Sequence, residues 1–202
     1  MIQHNDIIQG TDNWHQLRKG KVTGTTLKAI MGTKKAKEEA FYETIAQRLT
    51  TGLESDEHPM DRGIRLEPDA IAMFEIEVGK NVTRTGFCQH DDFENMAYSP
   101  DGLIGETEDV EIKCMGGKNH IKLWLTNKVP KEYWWQIIQG FAVNPKLEKR
   151  YFVGYNPDIP VHPIHIIVVT REMALKDIEK AEVAQKEFLN EVENKLLELI
   201  KI

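Results

Sequence analysis

The sequence predicts one mixed α/β domain, a central mixed β-sheet flanked by helices, and three observations lead there. Apolar residues recur at helical spacing as far as Gly79, alternate strand-fashion from there to Cys114, and return to helical spacing afterwards. No linker and no internal repeat divides the 202 residues, so residues 1–202 read as one domain. The composition, 41% hydrophobic and 29% charged, is that of a globular chain and excludes disorder. A chain of this length buries about 70% of the surface its unfolded form exposes, so folding requires neither disulfide nor structural metal.

The elements follow from local signals. Thr11 and Asp12 offer an N-cap to a short helix carrying Trp14 and Leu17, which Gly20 ends. Thr23 and Gly24 open a second helix with Leu27, Ile30 and Met31, closed by Gly32. Residues 36–50, with Phe41, Ile45 and Leu49, predict a third helix before a polar loop from Gly52 to Pro59. Residues 62–78 predict a fourth, with Leu66, Ala70, Met73 and Phe74 on one face and Gly79 as its stop. Beyond it, 81–89 and Met96 to Ser99 read as strands, and 102–106 with 109–114 as a hairpin turning through Glu106 to Asp109. Helices over 117–127 and 131–143 are parted by Pro130, and Lys149 to Tyr155 and Ile164 to Thr170 are rich in β-formers. A long helix, about 171–199, closes the chain, with Leu175, Ile178, Ala181, Phe188, Val192, Leu196 and Leu199 as its core stripe.

Two cysteines, Cys88 and Cys114, lie far apart in no Cys-x-x-Cys pair, which argues against zinc and for a reducing compartment. No leader-like opening and no run of eighteen apolar residues is present, so the expectation is a cytoplasmic protein with no membrane partner. The net charge of −6 hides a pattern. Residues 1–50 carry 8 basic against 5 acidic, 51–115 carry 5 against 16, 116–170 carry 7 against 3, and 171–202 carry 6 against 8. Basic flanks around an acidic centre suit a protein that grips phosphates at its edges and holds divalent cations between them; a solvated acidic face is the plainer alternative.

The centre of that acidic stretch carries the chemistry. Asp101, in Ser99-Pro100-Asp101-Gly102, and Glu111, in Val110-Glu111-Ile112-Lys113, stand ten apart on strands joined by a tight turn. Glu111 and Lys113, at i and i+2, share a strand face, so two carboxylates and an ammonium converge at one sheet end. Hard oxygen donors of this kind suit Mg²⁺, which leaves positions for water and substrate phosphate. This is the pattern of phosphodiester hydrolysis, although taken alone the plainer reading is a hairpin with one exposed salt bridge. Glu67, on the preceding helix, offers a third carboxylate. Tyr133, Gln136 and Gln139 line one face of a later helix, where a glutamine can bind phosphate or nucleophile, or simply mark a solvated edge.

Five ordered blocks then resemble a known family: Trp14-His15-Gln16-Leu17-Arg18 with Val22-Thr23-Gly24-Thr25, Gly63 to Glu67, Ser99 to Gly102, Glu111 to Cys114, and Tyr133 to Gln136. From Asp12 to Thr170 the chain resembles the phage recombination exonucleases typified by lambda exonuclease, within the PD-(D/E)xK restriction-endonuclease-like superfamily. The resemblance implies that Asp101, Glu111 and the carbonyl of Ile112 are metal ligands, with Glu67 near a second metal position. It implies Lys113 as the catalytic lysine and Gln136 as the helix glutamine of the core motif. It also implies that Arg18, with the hydroxyl of Thr25 where the family has serine, anchors a 5′-phosphate, Thr23 and Tyr133 being placed among the DNA-binding residues.

The expected activity is 5′-to-3′ digestion of one strand of linear double-stranded DNA, leaving 3′ overhangs for recombination. The expected cofactor is Mg²⁺, two per active site, with Mn²⁺ as substitute. The family further implies a homotrimeric ring, a single-strand annealing protein as partner, and a phage or prophage origin in a bacterial host. Two alternatives stand beside this: an endonuclease or junction resolvase on the same core, and a catalytically degenerate DNA-binding protein.

Overall fold

The structure, a computed structural model, describes residues 1–49 and 61–200. Four strands build the main sheet: β4 (Gly102–Ile104), β5 (Glu108–Cys114), β6 (Lys149–Tyr155) and β7 (Ile164–Thr170), in that spatial order. β4 and β5 form the antiparallel hairpin, turning at Gly105 with φ +63°, and β6 and β7 are antiparallel. β5 and β6 are parallel, Asp109 facing Arg150 and Glu111 facing Phe152, which makes the sheet mixed. A parallel pair needs a crossover, supplied here by α5 (Gly117–Thr126) and α6 (Lys131–Val143).

Alternation along the strands gives the sheet a core on each face. On one, α4 (Asp61–Val78) packs Leu66, Ala70, Ile71 and Phe74 against Val110, Ile112, Tyr151 and Val153. On the other, α6 packs Ile137, Ile138 and Phe141 in one cluster with Phe152 and with Phe188 of α7 (Arg171–Ile200). α2 (Gly24–Ile30) and α3 (Lys34–Leu49) join that second core through Leu27, Ile30 and Ile45. Each large aliphatic or phenylalanine side chain so buried contributes about 1.5–3 kcal/mol. α1 (Asp12–Arg18) starts at Thr11, whose hydroxyl accepts the Trp14 N–H at 3.4 Å, and Gly79 ends α4 with φ +67°.

Several expectations change. The strand expected over 81–89 shrinks to β2 (Cys88–Gln89), and that over Met96 to Ser99 shrinks to β3 (Ala97–Tyr98). They join β1 (Ile2–Gln3) in a separate three-stranded sheet. The cause is divided pairing: Thr83 bridges to Leu103 of the main sheet, whereas Cys88 and Gln89 pair with Tyr98 and Ala97. Leu175 and Leu199, expected in the core stripe of α7, are exposed; Ala174, Gln185 and Leu189 are buried instead. Gln139 is wholly buried, its amide donating to the carbonyls of Val22 and Ala97, which removes the solvated-edge reading for this face of α6. The loop expected from Gly52 to Pro59 lies outside the described residues. No described helix is long and apolar enough to cross a membrane.

Candidate active site

Asp101 sits one residue before β4 and extends the hairpin ladder through both main chain and side chain. Its N–H donates to the Val110 carbonyl at 3.1 Å, and its carboxylate accepts the Ile112 N–H at 2.5 Å. Gly102 follows because Val82 lies against its Cα, where a Cβ would overlap it. On β5, Asp109, Glu111 and Lys113 share the face away from α4, and Lys113 Nζ meets Glu111 Oε1 at 2.6 Å. The ammonium also lies 5.2 Å from the centroid of the Tyr133 ring on α6.

Electrostatics ties these groups together. Burial, reinforced by the charge of Glu111, pushes the Asp101 carboxyl up to about 8, with Lys113 opposing. Burial acts on Glu111 too, but Lys113 and Arg150 outweigh it and hold that carboxyl below the usual range. Burial disfavours the Lys113 ammonium, yet Glu111 and Asp101 overcome it and raise its pKa. Glu67 on α4 is raised by burial, offset by Arg84, whose Nη2 is 3.7 Å from Glu67 Oε1, and by Lys113.

The donor set fits a hard divalent cation. Asp101 and Glu111 are carboxylates forced close in a desolvated place, with the Ile112 main-chain N–H of β5 donating to the Asp101 carboxylate. Gln136 on α6 brings a buried Oε1 that has no hydrogen-bond partner. Among the described residues, no three His, Cys, Asp or Glu side chains already stand together as a metal cage. Glu67 lies 3.7 Å from the Arg84 guanidinium, and Glu111 pairs with Lys113.

A second cluster adjoins the first. Arg18, at the end of α1, donates to Ser99 Oγ at 2.9 Å and to Thr23 Oγ1 at 3.3 Å, and its guanidinium lies 4.3 Å from the centroid of the Trp14 ring. Trp14 Nε1 donates to the same Ser99 Oγ at 3.0 Å and to the Gly86 carbonyl at 2.9 Å. The partners that hold Arg18 are neutral, and Glu111 acts on it only through space. Burial lowers its pKa to about 10, the mark of a desolvated cation. Thr23 therefore gives its hydroxyl to Arg18 and not to capping α2. Thr25 is exposed one residue into α2.

Seven predicted residues are thus linked by contact or through-space charge: Asp101, Glu111, Lys113, Glu67, Arg18, Thr23 and Tyr133, whose ring lies under the Lys113 ammonium. Sequence reasoning missed Ser99 as a shared acceptor, although it stood in the motif, and missed Arg150 beside Glu111.

Residues 13–145 match a family described as the YqaJ-like viral recombinase domain. No curated protein matches the chain significantly. Among solved structures, the chain is similar to an alkaline exonuclease, LHK-Exo, from Laribacter hongkongensis, at 32% identity and a TM-score of 0.85, covering 95% of this chain and 97% of that one. A structure of LHK-Exo in complex with dAMP matches equally. A phage-related exonuclease from Haemophilus somnus 129PT, 14% identical over 87% of this chain and 96% of that one, shares the fold with a TM-score of 0.58.

Proposed function

The chain belongs to the YqaJ-like viral recombinase family, and from that premise we propose that it is a DNA exonuclease of recombination, digesting one strand of linear duplex from a 5′-phosphorylated end and leaving 3′ overhangs. Mg²⁺, replaceable by Mn²⁺ and two per site, belongs to the proposal, as do a trimeric ring and a single-strand annealing partner. One observation carries the reading: a desolvated Arg18, held only by neutral partners, stands beside the Asp101–Glu111–Lys113 cluster. A cation so held is ready for an anion, and a terminal phosphate carries more charge than an internal diester. An endonuclease cuts internal diesters and has no terminal phosphate to select.

Asp101 and Glu111, with the Ile112 carbonyl, would hold the cation, and Glu67 would serve a second position. When bound, a divalent cation supplies Lewis acidity toward the scissile phosphate and acidifies water for attack. Lys113, hydrogen-bonded to Glu111 and within the field of Asp101, orients the water and offsets charge growing on the phosphate. Gln136 contributes a neutral amide that contacts phosphate or water without adding charge.

The test uses linear duplex labelled at one 5′ or one 3′ end, with Mg²⁺, and closed circular duplex as control. Early release of the 5′ label and an intact circle support the reading. Early release of the 3′ label, or linearised circles, overturns it.

A further inference from the structure

Arg150, on β6, is the largest fully buried side chain among the described residues, and it carries a charge. Its Nε donates to Asp109 Oδ1 at 2.6 Å, both side chains being 0% exposed. Its Nη1 donates to the main-chain carbonyls of Gln136 at 2.6 Å and Ile137 at 2.8 Å, inside α6. Its Nη2 has no hydrogen-bond partner and points toward Glu111 Oε2 at 3.6 Å. α6 makes room for the guanidinium with Gly140, where a Cβ would overlap it.

Stability alone gives no reason for this arrangement, because an apolar pair of similar volume generally does as well as a buried ion pair or better. What an apolar pair lacks is direction. The planar fork addresses three elements at once: β5 through Asp109, the α6 turn that bears Gln136, and the oxygen of Glu111 that Lys113 leaves unused. Glu111 therefore lies between two cations, Lys113 on Oε1 and Arg150 toward Oε2, which fixes the plane of its carboxylate.

We propose that Arg150, braced by Asp109, is a positioning residue of the nuclease site, aligning the Glu111 carboxylate on β5 with the Gln136 turn of α6. The inference rests on the reading of Asp101 and Glu111 as cation ligands. Arg150 touches neither substrate nor cation; it acts through Glu111 and Gln136.

Two full-length variants test it. Gly140→Ala keeps both charges and adds a single methyl that displaces the guanidinium. Asp109→Leu with Arg150→Met replaces the ion pair by an apolar pair and leaves no orphan charge. Each is compared with the parent and with Glu111→Gln by Mn²⁺ calorimetry, thermal melting, and the Mg²⁺ dependence of cleavage. The expected result is Mn²⁺ affinity weakened about 10–100-fold, the usual loss when a ligand's supporting partner goes, together with a matching rise in the Mg²⁺ needed for cleavage, in protein that still melts cooperatively. Unchanged Mn²⁺ affinity with a shifted melting temperature makes the pair purely structural and overturns the inference. Should the double variant not fold, Gly140→Ala alone decides by the same readouts. A parent that binds no Mn²⁺, or binds it as well with Glu111→Gln, overturns the cation-site reading itself, a result distinct from a parent that binds while all variants bind equally.

Discussion

The Asp101 carboxylate accepts the main-chain N–H of Ile112 at 2.5 Å, so it is fixed by the strand that carries Glu111. One strand pairing thereby sets the relation of two acidic groups that repel each other, and burial keeps the cost of their joint ionisation high. Such a pair is relieved by a cation.

Replacing Asp101 by Asn or Glu111 by Gln should therefore lower cleavage by about 10³-fold or more, the scale of losing the charge stabilisation a cation gives. Duplex binding should persist or tighten, since fewer negative charges face the phosphates. Gel-based cleavage and a fluorescence binding titration check both halves. Cleavage near the parent rate would contradict the assignment.

Lys113→Ala should cost roughly 10²–10³-fold in cleavage, as expected for removing one preorganised charge at a transition state. Mn²⁺ binding should remain in calorimetry. Lys113→Arg should restore little, because a planar fork does not replace a compact ammonium lodged between Glu111 and the Tyr133 ring. Loss of metal binding in folded Lys113→Ala would place this lysine's role elsewhere.

Much of this was legible in the sequence where a pattern is local. The i, i+2 rule placed Glu111 and Lys113 on one face, and Gly79 and Pro130 marked helix ends that the structure keeps. Contacts between distant segments left no such trace. Nothing near Arg150 in the chain announces that Asp109 lies across from it, because parallel pairing is set by a crossover through two helices. By spacing Gln139 shares a helix face with Tyr133 and Gln136, but its amide donates to the carbonyls of Val22 and Ala97, which the Val22–Met96 bridge brings together. The stretch 81–89 had strand composition, and only divided pairing shortens it.

His165 on β7, in a histidine cluster with His120 of α5 and His162, should contribute a loss of stability in acid. His120 is buried with Nε2 on the His162 carbonyl at 2.7 Å, His162 stacks on Trp124, and His165 meets Asn127 Oδ1 at 2.9 Å. Burial, with His120 and His162 adding, lowers the His165 pKa below its usual 6.5. The unfolded chain then takes up a proton first as pH falls, so stability is full above 6.5 and declines below it until the folded group also protonates. Asp101, raised to about 8, works the opposite way, so the readout is the difference between two proteins: from about pH 7.5 down to about pH 5 the parent should lose melting temperature relative to His165→Asn. An identical slope in both proteins would dismiss His165 as a contributor.

The Arg18 prediction separates an end-directed exonuclease from other nucleases on this fold. The guanidinium is already oriented by Ser99, Thr23 and the Trp14 face, so little order must be imposed when a phosphate arrives. Ser99 stands two residues before Asp101, so the same strand end that carries a proposed cation ligand also steadies the proposed end anchor. Arg18→Ala should lose the preference for 5′-phosphate over 5′-hydroxyl duplex and lose processivity, while slow cation-dependent hydrolysis persists because Asp101, Glu111 and Lys113 are untouched. The loss of a charged, partly paired hydrogen bond corresponds to about 10–100-fold in the rate on phosphorylated ends. Arg18→Lys should keep part of the preference, since a point charge still attracts phosphate but cannot pair with it through two donors. Ser99→Ala should fall between, as it removes one brace and leaves the charge. Equal discrimination between the two kinds of end by parent and Arg18→Ala would remove the end-anchoring role and return the endonuclease reading.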